Sequence, residues 1–287
     1  MATPPDSPPT NVHYDQPPEI FEAFLDRRMK YTSGIFTRGD ESLDTAQLTK
    51  LRTVTGLLGL TGGERVLDIG SGWGSMVCHL AGLGCQVTGV TPAPAQAAYI
   101  RARAAREGVA DRVTIAESSI YDADLGDARF DAVTVVGVAE ALPDLDGVLR
   151  IIARRLRPGG RVYLSAACFR SREVFTEYTD RPASRHVAET IFGWGILRPL
   201  SELVAGCEEA RLSVIGCHDL TEHYRRTIDH WIGRVAAARD RIDALRPGYS
   251  DELLRYLRTS NAGWGHTTRY YGLVAARSRD GLAVQVG

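Results

Sequence analysis

The stretch ERVLDIGSGWG, residues 64–74, sets the fold class. Residues 65–69 read as a buried parallel strand, and Gly70, Gly72 and Gly74 then clear side chains from a tight turn into a helix. Glycine tolerates backbone angles that other residues resist and lets a ligand approach the main chain closely. Asp68 stands where the strand ends, with a carboxylate able to accept hydrogen bonds from a charged or hydroxylated ligand. A dinucleotide fingerprint needs its third glycine three residues after the second, and that position is Ser75. Gly-x-Gly-x-Gly after Asp is instead the spacing of S-adenosylmethionine (SAM) sites, with Gly70, Ser71, Gly72 and Gly74 around the methionyl part.

Outward from this turn the chain alternates. Strands are expected at 65–69, 85–90, 112–116, 130–136 and 161–166, with helices at 73–83, 94–107 and 145–156 between them. That alternation means an α/β fold, a mostly parallel sheet with helices on both faces. Ligands of such sheets bind beyond the carboxyl ends of the strands, which gathers Gly70 to Gly74, Thr91, Ser118 and Gly137 to Glu140 around one crevice. A helix at 200–212 and strands at 213–217 and 268–276 complete the sheet. About fifty residues between those last strands far exceed a hairpin loop, and they carry helical periodicity through Ile228, Trp231, Ile232, Val235, Ile242 and Leu245. A substrate lid or a homodimer interface would use that surface and the aromatics Phe175, Tyr178, Phe192 and Trp194 of the irregular stretch 171–199.

Before the first strand, apolar residues at helical spacing predict a helix over 18–29 and another from Ser42, its N-cap, to Gly59. The expected organisation is a disordered Pro- and Ser-rich tail at 1–12 and a helical cover at 13–60. A core at 61–278 follows, with insertions at 170–200 and 221–266, and then a tail at 279–287. With 287 residues, 44% hydrophobic, the chain can fill one large core. A net charge of -1 leaves no footprint for nucleic acid, and the arginines at 101–106 and 154–157 are expected on outer helix faces. No run approaches the roughly 18 apolar residues of a membrane span, so neither export nor integral membrane contact is expected. Five scattered cysteines without a Cys-x-x-Cys pair read as reduced core residues of a cytoplasmic protein.

His13-Tyr14-Asp15, Phe24-Leu25-Asp26, Tyr31 to Phe36 and Leu43-x-x-Ala46-Gln47-x-x-Lys50 resemble, in order and spacing, the cyclopropane-fatty-acid and mycolic acid cyclopropane synthases. The match continues through LDIGSGWGS from Leu67, Gly89-x-Thr91 with Gln96, Gly137-x-x-Glu140, His223-Tyr224-x-x-Thr227-x-x-x-Trp231 and Tyr256-Leu257-x-x-Ser260. The centre alone would fit any class I methyltransferase; the two ends are specific. The resemblance implies a class I, Rossmann-like methyltransferase in which Tyr31 contacts SAM, the glycine turn wraps its methionyl group, and Thr91 with Gln96 holds the ribose. Ser118 and Ser119 stand where the family has a Trp-Glu pair beside the adenine. The family's bicarbonate is held by Cys, Glu, His and Tyr; the matching positions are Ser33, Glu140, Ser165 and Tyr224, so two of four ligands have changed. The histidine that commonly follows the glutamate is Ala141.

Loss of the imidazole removes the group best suited to move a proton near neutral pH. Glu140, in the apolar run VTVVGVAEAL, is placed to steady a carbocation and take its proton if the acceptor is an alkene carbon. The alternative is a glutamate that only hydrogen-bonds the loop backbone or the SAM amino group. Tyr224 would orient Glu140 or touch substrate, His13 would close over the cofactor, and Ser33, Ser165 and Trp231 would line the substrate. His218, His223 and His230 lack the i, i+4 pairing of helical zinc sites, and no metal is expected. The acceptor expected is an apolar small molecule or lipid: an isoprenoid or polyketide of specialised metabolism ahead of a phospholipid acyl chain. O- or N-methylation and true cyclopropane synthesis are the alternatives.

Overall fold

The computed structural model describes residues 16–178 and 197–278. The tails at 1–12 and 279–287, His13, Phe192 and Trp194 lie outside the described residues. The strands are β1 Arg65–Ile69, β2 Gln86–Thr91, β3 Val113–Glu117, β4 Phe130–Val136, β5 Leu156–Phe169, β6 Arg198–Pro199, β7 Leu212–Asp219 and β8 Thr268–Arg277. They form one eight-stranded sheet in the order β3-β2-β1-β4-β5-β8-β7, with β6 against β5. Pairing is parallel from β3 through to β5, and β8 runs antiparallel to both β5 and β7. The strand order reverses between β1 and β4, so a crevice opens at their carboxyl ends.

The helices are α1 Pro18–Phe24, α2 Leu43–Leu58, α3 Ser75–Leu83, α4 Pro94–Arg106, α5 Leu145–Arg155, α6 Arg172–Tyr178, α7 Leu200–Glu209, α8 Thr221–Ala237, α9 Arg239–Leu245 and α10 Tyr249–Gly263. Successive strand residues point to opposite faces. Val66 and Ala132 thus join Met76, Leu80 and Ile100 in the core under α2, α3 and α4. Leu67 and Val133 join Leu149, Leu164 and Leu203 under α5 and α7. A third core lies outside the sheet layers. Phe21 and Phe24 of α1 pack with Trp231 of α8, Ile242 of α9 and Leu253 of α10, and the sheet contributes only Ala167 and Tyr270. α1 of the early cover and the late insertion are therefore one helical layer, in which Arg234 of α8 donates to Leu25 O (2.6 Å) and to the Asp44 carboxylate of α2 (3.2 Å).

Several local expectations are corrected. α1 stops at Phe24 instead of Met29, because the Asp26 carboxylate accepts the N–H groups of Arg28 (3.0 Å) and Lys30 (2.8 Å) and pulls the chain into a turn. Met29 consequently adopts φ +58°, a left-handed conformation costly for a side chain with a Cβ. β5 begins at Leu156, where the helix over 145–156 was expected to end, instead of at Arg161; Pro158 to Gly160 form an irregularity within it, seen as a register shift between Phe130 and Ala132 of β4. Part of the stretch expected to be irregular is helical, as α6. Cys217 is exposed, since β7 is an edge strand, while the other cysteines are buried. Arg103 is buried on the inner face of α4: it lies three residues after Ile100 and donates to Arg28 O (2.7 Å) and to Glu107 (2.7 Å).

Candidate active site

β1 delivers the chain to a turn in which Gly70, Gly72 and Gly74 have φ of +71°, +52° and +79°. The N–H groups of Gly70 and Ser71 donate to Val90 O at 2.9 and 3.1 Å, locking the turn to the end of β2. A Cβ on Gly70 would lie 2.4 Å from Val138 Cγ2, and one on Gly74 would lie 2.8 Å from Ile100 Cγ1. At Gly72 a Cβ would meet nothing within 4 Å, so the tip of the turn faces open space of the kind a ligand fills. The two positions predict different outcomes. Gly70→Ala should cost about 1–3 kcal/mol of stability through strain and the Val138 clash, read from denaturant midpoints. Gly72→Ala should lose proportionately more SAM affinity, read by calorimetry, because its methyl group enters the ligand's space.

Beneath the turn, Asp68 is buried and its Oδ1 accepts from Thr134 Oγ1 at 2.5 Å. Burial raises its carboxyl above the usual range, opposed by the charge of Lys30 and by the Thr134 hydrogen bond. At the end of β2, the buried Thr91 donates to Gln96 Oε1 at 2.8 Å, so these residues stand together as expected. Ser119 is engaged elsewhere: its hydroxyl donates to Asp122 at 2.9 Å and accepts from Tyr121 N–H at 3.2 Å. Ser118 lies beside the crevice, with its N–H on Thr91 O at 3.0 Å.

At the end of β4, Gly137 (φ +69°) leaves room for the cover: a Cβ there would lie 2.3 Å from Thr32 Cγ2. Glu140 follows in a short 3-10 turn, Ala139–Ala141. One carboxylate oxygen accepts from Ala167 N–H on β5, and the other, Oε2, is buried with no partner among the described residues. Burial pushes the Glu140 carboxyl up to about 7, against the lowering effect of the Ala167 N–H and of Arg198. A small recess beside it is lined by Leu145, Ala166, Arg198 and Leu203.

Across β5, Ser165 Oγ lies 2.9 Å from the Tyr270 hydroxyl, whose pKa is raised by burial and by the Glu140 charge. Tyr224 packs against Tyr270 (ring centroids 4.6 Å), Trp264 (4.8 Å) and Trp231 (6.0 Å). Trp231 in turn meets Tyr31 at 4.9 Å, Tyr31 meets Phe21 at 5.8 Å, and Phe21 meets Trp73 of the glycine turn at 5.2 Å. A continuous run of buried aromatic contacts thus joins the turn to Ser165. The buried indole N–H groups of Trp231 and Trp264 have no acceptor among the described residues. Ser33 is buried and donates to Gly34 O at 2.8 Å. His223 accepts Phe36 N–H at 3.2 Å on Nδ1, and His230 stacks on the same Phe36 at 5.5 Å.

Tyr270, Trp264 and Lys30 are constituents that the motifs did not single out. Strand alternation in β8 separates Tyr270 from Tyr271 and was the available signal. Tyr256, of the motif Tyr256-Leu257-x-x-Ser260, is hydrogen-bonded to Ser260 and Tyr31.

Sheet order, glycine turn and crevice define the class I methyltransferase fold. The chain belongs to the mycolic acid cyclopropane synthetase family, whose model matches residues 3–269. A "Probable fatty acid methyltransferase" of Mycobacterium tuberculosis is 29% identical over 78% of this chain and 51% of its own length. A protein of the same description from Pseudomonas putida is 29% identical over 90% of this chain and 65% of its own. The chain therefore spans between half and two thirds of the length of these curated relatives. Among solved structures, a mycolic acid cyclopropane synthase complexed with SAH and CTAB superposes with a TM-score of 0.85 at 22% identity, covering 93% of this chain and 97% of that one.

At two of the four bicarbonate positions the hydroxyl is already engaged within the protein. Ser33 donates to the Gly34 carbonyl and Ser165 pairs with the Tyr270 hydroxyl. SAM fits better. The open tip at Gly72, the paired Thr91 and Gln96, and the buried charge at Asp68 offer space, hydroxyl partners and a cation acceptor. Among the described residues no cluster of His, Cys, Asp and Glu has the make-up of a metal site, and no helix is long and apolar enough to cross a membrane.

Proposed function

We propose that this chain is a SAM-dependent C-methyltransferase acting on an alkene carbon of an apolar acceptor, with Glu140 as the proton acceptor. The observation that carries this reading is the buried, unpartnered Oε2 of Glu140, on a carboxyl raised to about 7, whose other oxygen accepts the N–H of Ala167 in the aromatic core. Bound SAM supplies an electrophilic methyl group. Gly70, Ser71, Gly72 and Gly74 hold its methionyl end, Thr91 and Gln96 its ribose, and Tyr31 closes from the cover. Alignment is then most of the catalytic task. The faces of Trp231, Tyr224 and Tyr31 offer negative charge to a cation on the acceptor. Glu140 takes the proton that the cationic acceptor gives up, leaving a methyl branch, a methylidene or a ring. The names of the relatives support a lipid acceptor. The changes at Ser33 and Ser165 support an isoprenoid or polyketide ahead of a phospholipid acyl chain. A hydroxyl or amine acceptor is the second reading, favoured by the Ser165–Tyr270 hydroxyl pair, which would orient it. True cyclopropane synthesis is the third.

Calorimetry with SAM and NAD tests the cofactor: SAM should bind and NAD should not. Incubation with unsaturated phospholipid, isoprenoid and polyketide panels, with S-adenosylhomocysteine release as the signal, tests the acceptor. Cyclopropane formed on phospholipid acyl chains would overturn the preference for other acceptors.

A further inference from the structure

We infer that Lys30 is the anchor for the methionyl carboxylate of SAM. This rests on the SAM reading above. Lys30 and Lys50 are the only lysines in 287 residues, and both are buried. Lys50 has a partner, donating to Thr32 Oγ1 at 2.9 Å. Lys30 is 7% exposed, and its ammonium makes no hydrogen bond or close ion pair with a described residue; Asp68 and Asp26 act on it only through space. An ammonium on so buried a side chain, without a protein partner, has lost much of its hydration, and an anion that reaches it lowers that cost.

The backbone is built to present this side chain. Asp26 accepts Lys30 N–H at 2.8 Å, Met29 stands at φ +58°, and Gln47 Nε2 donates to Lys30 O at 3.4 Å and Thr32 O at 2.7 Å. Left-handed non-glycine residues held by surrounding bonds concentrate at ligand sites. Thr32, two residues on, packs on Gly137 at the crevice, while Lys30 lies in the field of Asp68 just before the glycine turn.

The charges select the ligand. The methionyl end of SAM carries a carboxylate and an ammonium on one carbon. Lys30 and Asp68 offer the opposite signs, so a zwitterion satisfies both buried charges. A phosphate or simple carboxylate on the acceptor would answer Lys30 and leave Asp68 without a cation.

The test is calorimetry of wild type, Lys30→Met and Lys30→Arg with SAM and with decarboxylated SAM, which lacks only the carboxylate. Wild type should prefer SAM over the decarboxylated compound by about thirtyfold, in the range of a charge-assisted hydrogen bond. Lys30→Met should lose about that factor for SAM and almost nothing for the decarboxylated compound, while Lys30→Arg keeps part of the preference. Equal affinity of wild type for the two ligands overturns the assignment even if Lys30→Met fails to fold. An equal loss for both ligands in Lys30→Met also overturns it. Wild type that binds neither ligand sinks the SAM reading itself, and the assignment with it.

Discussion

Glu140→Gln should lower turnover by about 10²- to 10⁴-fold, the range of positioned general acid–base groups, while SAM affinity stays nearly unchanged. The amide keeps the shape and can still accept the Ala167 N–H, but it cannot take up a proton. In the wild type, kcat/KM should rise with pH through about 7, because the base is the ionised carboxylate and burial holds its pKa there. The same shift affects folding. Its folded pKa lies above the ordinary 4.5, so the stability it contributes is complete below about pH 4.5 and is lost as pH rises through about 7. Denaturant midpoints across that window should slope downward in the wild type and flatten in Glu140→Gln. Turnover within threefold of wild type in the variant would remove Glu140 from the chemistry.

Trp231→Ala should cost about 3–5 kcal/mol of stability, the usual loss for a large aromatic removed from a packed interior. Trp231 is among the largest fully buried side chains and packs between Tyr31 of the cover and Tyr224 of its own helix. Its loss therefore opens the layer that joins the early and late parts of the chain. A loss below about 1 kcal/mol, read from chemical denaturation, would mean that this layer is not a cooperative part of the fold. Trp231→Phe keeps most of the packing and reduces the attraction for a cation, so turnover should fall by roughly 2- to 30-fold with SAM binding retained.

The sheet was legible because its signals are local. Glycines at strand ends, alternation of strand and helix, the Ser42 cap on Thr45 N–H and the left-handed Gly59 each follow from a few neighbouring residues. The end of α1 was not, because the Asp26 turn competes with helix through side-chain bonds that periodicity does not register. Among site residues, the glycine turn lies within one βα unit and Thr91 with Gln96 within the next, so each grouping is local in sequence. The Ser165–Tyr270 pair spans 105 residues, and Trp264 meets Tyr224 only because α10 folds back along α8. Lys30 carried a compositional signal, as one of two lysines in an arginine-rich chain, but its burial depends on the cover closing over the sheet.

The most direct measurement is NMR of the product formed with SAM labelled with carbon-13 in its methyl group. The proposed chemistry predicts that the label sits on carbon, as a methyl branch, methylidene or ring carbon, and that Glu140→Gln forms almost none of it. A label found on oxygen or nitrogen, formed as fast by Glu140→Gln as by the wild type, would contradict it.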